Sequence, residues 1–170
     1  MDLRSLGIVQ QEHNFVGSYR HVVDAQGRIQ FPRALRRGIH SEAKDTLIVT
    51  HDPDGCLAAY PLNEWDQIRE LWQQATSDPG ARRARNMIRK VLANAAEARI
   101  DAQGRISISS ELLDKVGIDG EAVIVGAFDR IELWAPARFD EAMEESGDTS
   151  ESSAANLKVF RPGRQAGVDE

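Results

Sequence analysis

An α+β fold built from two copies of one strand-rich unit is what this sequence predicts, on three observations. The pentapeptide Asp24-Ala25-Gln26-Gly27-Arg28 returns unchanged as Asp101-Ala102-Gln103-Gly104-Arg105, 77 positions later. Apolar residues alternate on both sides of each copy, with Val22-Val23 and Ile29-Gln30-Phe31 around the first and Ile100 and Ile106-Ser107-Ile108 around the second. That two-residue period is the mark of half-buried strands joined by a turn. Downstream of each copy come a short helix, a second strand pair and a longer helix in the same order, so the repetition extends well beyond the turn.

The elements follow in chain order. Residues 1–14 are polar and aperiodic and read as a flexible N-terminal extension. The first unit, 15–76, opens with a strand over Tyr19-Arg20-His21-Val22-Val23 and turns at Asp24. Asp suits the first position of a type I turn and Gly tolerates the positive φ that closes a bulged hairpin loop. The return strand ends at Pro32, which can open a short helix over Arg33 to Arg37, with Gly38 closing it in the left-handed conformation. A second hairpin joins Thr46-Leu47-Ile48-Val49 to Cys56-Leu57-Ala58-Ala59-Tyr60. Leu62, Trp65, Ile68, Leu71 and Trp72 then hold helical spacing.

Asp78-Pro79 reads as an N-cap and first-turn proline opening a linking helix within 77–94, with Ala84, Met87, Ile88, Val91 and Leu92 on its apolar face. In the second unit, 95–145, Ser109 or Ser110 caps a short helix ending before Gly117. Ala122-Val123-Ile124-Val125 and Arg130-Ile131-Glu132-Leu133-Trp134 make the hairpin, and Pro136 starts a last helix carrying Phe139 and Met143. Residues 146–170, rich in Ser, Gly, Asp, Glu and Ala, lack the apolar mass to offset ordering entropy and read as a disordered acidic tail.

Charge is unevenly placed. The chain of 170 residues carries a net −6, but from Asp140 onward eight acids stand against three bases, which leaves −1 for the body. Within that body Arg28, Arg33, Arg36 and Arg37 form a run without acids, and Arg82, Arg83, Arg85, Arg89 and Lys90 form another. The overall sign of charge is then a poor guide to the local field. One cysteine, Cys56, permits no internal disulfide and suits a reducing compartment; no apolar run reaches membrane-spanning length. A cytoplasmic protein is the expectation.

Catalytic patterns are missing: there is no G-x-S-x-G, no P-loop, no G-x-G-x-x-G and no H-E-x-x-H. The nearest approach to a metal loop, His51, Asp52, Asp54 and Cys56, reads as an ordinary hairpin turn. Neither an enzyme, a metal site nor a cofactor is expected. The repeated arginine is different. A turn does not call for it, and an exposed Asp–Arg pair contributes only about 0–1 kcal/mol. The tip is therefore read either as a structural hairpin with a surface ion pair or as an element presenting Arg to a partner.

The run Gly17 to Ile29, the stretch Asp54-Gly55-Cys56-Leu57 through Tyr60-Pro61-Leu62-Asn63-Glu64-Trp65, and the second D-x-x-x-R turn with Gly126 to Trp134 together resemble the MraZ family, over about residues 15 to 143. The resemblance implies two tandem AbrB-like β-hairpin units forming an intertwined β-barrel flanked by helices, and assembly of protomers into a ring. It also implies a sequence-specific, DNA-binding transcriptional regulator, nucleoid-associated, that represses the division and cell-wall gene cluster through direct repeats in its promoter. By that resemblance Arg28 and Arg105 are DNA contacts and Asp24 and Asp101 orient them, with Gly27 and Gly104 closing the turns.

Because Arg33, Arg36 and Arg37 follow Arg28, whereas Ser109, Ser110, Glu111 and Asp114 follow Arg105, chain order makes the first tip the better DNA face, with Arg33 and Arg36 adding to it. Two other readings stand beside this one. The repeated hairpins would serve a ring-forming assembly protein without specific DNA binding, and an AbrB-like antitoxin would use its acidic tail to hold a toxin.

Overall fold

The structure is a computed structural model that describes residues 15–145. The N-terminal extension expected over 1–14 and the acidic tail expected over 146–170 lie outside those residues. Two compact units are present, one ending at Pro136 and the other beginning at Ala137. In the first, eight strands run antiparallel: β1 (Ser18–Val22), β2 (Arg28–Gln30), β3 (Thr46–His51), β4 (Leu57–Pro61), β5 (Ala95–Arg99), β6 (Arg105–Ser107), β7 (Glu121–Ala127) and β8 (Arg130–Trp134). Between them lie α1 (Arg33–Arg36), α2 (Leu62–Ala75), α3 (Arg82–Leu92) and α4 (Ser110–Val116). The other unit contains most of α5 (Pro136–Glu145), whose start at Pro136 follows the sequence expectation.

The pairing interleaves the two copies. One sheet has the order β1-β7-β8-β4-β3-β5 and a separate ladder joins β2 to β6. Exchanging each strand of the first copy for its equivalent in the second leaves that order unchanged apart from direction, so the chain carries an internal two-fold relation. β1 pairs with β7, and β5, its equivalent, pairs with β3. No strand pair closes these ladders into a ring among the described residues.

This corrects one expectation. The strands flanking each D-x-x-x-R turn do not run on together as a hairpin: beyond the bridge Val23↔Ile29, the arms of the first turn part, β1 to β7 and β2 to β6. β2 and β6 instead pair with each other, which buries Ile29 and Ile106 fully between the copies.

The core is correspondingly shared. Ile29 and Ile106 face each other across the β2–β6 ladder, and both have no exposed surface. Phe31, Leu35, Leu47 and Leu57 of the first copy pack in the same cluster as Val116, Ile124, Ile131 and Leu133 of the second. On α2 the Trp65 ring meets Tyr60 at 5.9 Å and Trp72 edge-on at 5.5 Å, in the geometry aromatic pairs favour.

Local chemistry accounts for most element ends. Ser109 caps α4, its hydroxyl accepting from the Leu112 N–H, and Gly117 at φ 73° ends it, both as expected. Two details differ. Gly38 is absent from the positive-φ positions; a Cβ there would come within 2.8 Å of the Phe15 ring, so packing rather than backbone conformation excludes a larger residue. The linking helix begins at Arg82 and not at Pro79, because the Asp78 carboxylate accepts from the Gly80 N–H and closes a turn first.

If the copies are locked through their shared ladder, Ile29→Ala and Ile106→Ala should each cost about 2–5 kcal/mol. Urea denaturation should return a single cooperative transition for both variants, with no separate unfolding of one copy.

Candidate nucleic-acid interface

The site forms on the ladder whose inner face is Ile29 and Ile106. In antiparallel register Arg28 stands opposite Ser107 and Gln30 opposite Arg105. Successive side chains point to opposite faces, so Arg28, Gln30, Arg105 and Ser107 share the outer one. The two arginines occupy diagonal positions, with Cα atoms about 7–8 Å apart by strand geometry. Each stands where the strand leaves its turn.

Both turns are built alike. The Asp24 N–H donates to the Arg28 carbonyl at 3.0 Å and the Gly27 N–H to the Asp24 carbonyl at 2.9 Å; the equivalent distances at Asp101 and Gly104 are 2.8 and 2.9 Å. Gly27 and Gly104 hold φ of 72° and 77°, the left-handed region that favours glycine. Asp24 Oδ1 accepts from the N–H groups of Gln26 and Arg28, both at 2.9 Å, while Oδ2 accepts from Arg28 Nε at 2.7 Å. Asp101 does the same with Gln103, Arg105 and Arg105 Nε at 2.9, 2.9 and 3.0 Å. The carboxylates titrate below the usual aspartate value, chiefly because the backbone N–H of the following arginine stabilises the charged form.

What this does to the arginine is specific. Nε is occupied by Asp in both tips; Arg28 Nη2 donates to the Gln26 amide oxygen at 2.9 Å, whereas Arg105 Nη2 lies 3.0 Å from Asp101 Oδ2 and 3.5 Å from the Gln103 amide oxygen. Nη1 has no hydrogen-bond partner among the described residues in either tip. The end of the guanidinium is thus held still and left open, and its paired N–H groups fit a phosphate or a guanine edge. Side-chain exposure of 39% for Arg28 and 34% for Arg105 leaves that end accessible.

The two glutamines belong to this site and were not singled out from the sequence. Their signal was present: both recur unchanged in the pentapeptide. Gln30 is a further addition, its Nε2 donating to the carbonyl oxygens of Gln103 and Gly104 and so bracing the second tip from the first copy.

Arg33 and Arg36 are placed differently from chain order. Arg36 Nη1 lies 3.7 Å from where a Cβ on Gly104 would stand, so α1 sits beside the second tip. Arg33 is exposed, while Arg36 is engaged by Asp45 through Nε at 3.1 Å and Nη2 at 2.9 Å. The run of arginines is acid-free only along the chain. Asp45, nine residues on, closes the pair in space, and Asp101 adds its field to Arg36. The hydrogen bonds from Arg36 hold the Asp45 carboxyl below its ordinary range.

Of the basic helix, Arg82, Arg83, Arg89 and Lys90 are exposed, while Arg85 turns back to donate to the Asp78 and Pro79 carbonyls at 2.8 and 3.0 Å. The His51–Cys56 turn is a structural turn, with Asp52 Oδ1 accepting from the Asp54 N–H at 3.0 Å. Cys56 is fully buried, and that burial pushes its thiol up to about 12, far from thiolate chemistry. No group of three metal-ligating side chains forms among the described residues, and no helix among them is long and apolar enough to cross a membrane.

Comparison with known proteins matches this duplicated architecture. A family model described as "MraZ protein, putative antitoxin-like" fits twice, over residues 15–87 and 91–160. The chain belongs to the MraZ family. Among its relatives, one from Natranaerobius thermophilus is 32% identical over 146 residues, 86% of this chain and 98% of the relative. One from Pediococcus pentosaceus is 35% identical over the same shares, and one from Lachnoclostridium phytofermentans is 36% identical over 86% of this chain and 96% of its own. All three are named "Transcriptional regulator MraZ". The AbrB-like expectation and the two-copy reading stand with this membership.

The tip geometry makes two expectations measurable. A Cβ on Gly27 would collide with the Ile108 carbonyl, whose residue is held by its N–H donating to the Gly27 carbonyl; a Cβ on Gly104 meets the movable Gln30 amide at 3.0 Å and Arg36 Nη1 at an ordinary 3.7 Å. Gly104→Ala should therefore cost the left-handed penalty of about 1–2 kcal/mol, and Gly27→Ala distinctly more, by thermal denaturation.

The second expectation concerns pH. A depressed folded-state value means that the stabilisation is fully present above the ordinary aspartate value of about 3.9 and is lost as pH falls through the lower folded value. Carboxyl-carbon NMR titration should show Asp24 and Asp101 titrating below the ordinary aspartate value of about 3.9, and Asp24→Asn should remove the first tip's share of that acid sensitivity.

Proposed function

We propose that this chain is a sequence-specific DNA-binding transcriptional regulator, and that the outer face of the β2–β6 ladder is its DNA-reading surface. The observation that carries the reading is the pair of pre-oriented guanidinium groups, Arg28 and Arg105, on one face of a rigid ladder. Holding each fork before binding spares the ordering cost a free arginine side chain would meet, about 0.5–1.5 kcal/mol per immobilised side chain. The names of the relatives support regulation as the outcome. The finer reading is repression of the division and cell-wall gene cluster through direct repeats in its promoter, in the cytoplasm and at the nucleoid.

A body of net charge −1 does not bind DNA by bulk attraction, so several protomers acting together are part of the proposal. In a ring, weak contacts multiply when adjacent repeats are engaged at once. Exposed apolar residues on the first compact unit, Val22 and Phe128 at 73% each and Met87 at 65%, offer surface for such assembly.

The family description also says antitoxin-like. An antitoxin would keep the same DNA surface and add a toxin partner, which would co-purify when the neighbouring gene is co-expressed. An assembly protein without DNA binding is separated from both by one titration. Fluorescence anisotropy with a labelled duplex from upstream of its own gene should saturate for the wild type and weaken steeply with salt. The double variant Arg28→Ala/Arg105→Ala should lose saturable binding while its melting temperature stays within a few degrees. Equal binding by both proteins, or none by either, would remove the ladder from the account.

A further inference from the structure

The interleaving of the copies assigns each tip to the short helix of the other copy, and the two helices are chemically opposite. At Gly27 the neighbouring helix residue is Leu113, whose Cδ1 lies 3.3 Å from a Cβ built there; at Gly104 it is Arg36, with Nη1 at 3.7 Å. Leu113 and Arg36 are 77 positions apart, the offset of the repeat, so one structural position is apolar at the first tip and cationic at the second. The same offset sets Ser110 against Arg33 and Asp114 against Arg37. The helix beside the first tip therefore carries Ser110, Leu113 and Asp114, and the helix beside the second carries Arg33, Arg36 and, at its end, Arg37.

Backbone bonds fix this arrangement. The Phe31 N–H donates to the Gly104 carbonyl at 2.9 Å, and two residues later α1 begins. Along the first copy, by contrast, five residue steps of mostly extended chain separate Arg28 from Arg33, about 16 Å at 3.3 Å per residue. Arg36 is spent on Asp45, whose equivalent in the second copy is Gly120: the Ile100 N–H donates to the Asp45 carbonyl as the Val23 N–H does to that of Gly120, at 2.8 and 2.9 Å. The side chains of Arg33, Arg37 and Arg99 are exposed, and Arg99 adds its field to Asp45 alongside Arg36. Arg99 ends β5, two residues before the second turn, and Val22 holds its place in β1.

We infer that the second tip, with Arg33, Arg37 and Arg99 around it, is the principal phosphate-contacting end of the ladder, that Arg36 positions α1 against it through Asp45, and that the first tip makes the weaker contact. This inference rests on the DNA-binding reading above and reverses the ranking that chain order implies. Cations beyond the tip's own Arg raise the local anion attraction, because that Arg is largely offset by its Asp, and each added phosphate contact deepens the salt dependence.

The test uses the full chain, a labelled duplex from upstream of its own gene and an unrelated duplex of equal length. Arg105→Ala should cost about tenfold more affinity than Arg28→Ala at fixed salt, and Arg33→Ala/Arg37→Ala should lower the salt slope by about 0.9 for each lost contact per engaged protomer. Once Arg105 is gone, α1 no longer meets a docked backbone, so adding Arg33→Ala/Arg37→Ala to Arg105→Ala should cost little more, whereas added to Arg28→Ala it should cost its full amount.

Asp114→Arg should raise the cost of Arg28→Ala toward that of Arg105→Ala, and it does so by gaining a contact, which misfolding cannot imitate. Wild-type binding with Arg28→Ala the costlier single variant, or with Arg33 and Arg37 coupled to Arg28, would overturn the inference alone. Absence of saturable binding by the wild type to both duplexes would overturn it together with the proposed function.

Discussion

The facing of Ile29 against Ile106 is the constraint on which the rest of the molecule depends. Neither side chain retains exposed surface, and each belongs to a different copy of the repeat. Burying both at once requires β2 and β6 to form their own ladder, which pulls the two D-x-x-x-R turns to its opposite ends. β1 and β5 must then find partners elsewhere, and each finds the hairpin of the other copy. A core divided this way does not come apart into halves, because every ladder except the two hairpins crosses between copies.

The same ladder supplies the working face. Period-two alternation sends Arg28 and Arg105 outward wherever Ile29 and Ile106 point inward. Fixing the core thereby fixes the two arginines relative to one another without any contact between them. The aspartates then trade long-range attraction for geometry. Asp24 and Asp101 offset most of the charge that Arg28 and Arg105 would project, but hold Nε so that the open end of each fork has one orientation. Such a tip discriminates at hydrogen-bond range and needs other cations to bring a polyanion near. α1, which carries the exposed Arg33, lies beside the second tip through Arg36, and the exposed arginines of α3 precede β5 in the chain.

Most of this was legible in the sequence. The repeat, the two true hairpins, the cap at Ser109 and the stop at Gly117 follow from local chemistry that needs no partner. Other features depend on what lies across space. Alternation marks β1 and β2 as strands yet does not say which strand each joins, so the exchange of arms was not visible. Arg36 looked free because Asp45 lies beyond an intervening turn, and Arg33 and Arg37 looked like neighbours of Arg28 because only chain distance was available. The glutamines of the turn were legible in principle, since an invariant pair in a repeated pentapeptide asks for a reason.

The most direct test of the central claim follows the arginine side chains themselves. Nitrogen-resolved NMR of the Arg Nε–Hε groups, with and without a promoter duplex, reports each guanidinium separately. The account predicts that Arg28 and Arg105 Nε–Hε signals are already sharp and protected in the free protein, held by Asp24 and Asp101, and that both shift on adding DNA. Shifts confined to the arginines of α3, with the two tip signals unmoved, would contradict it.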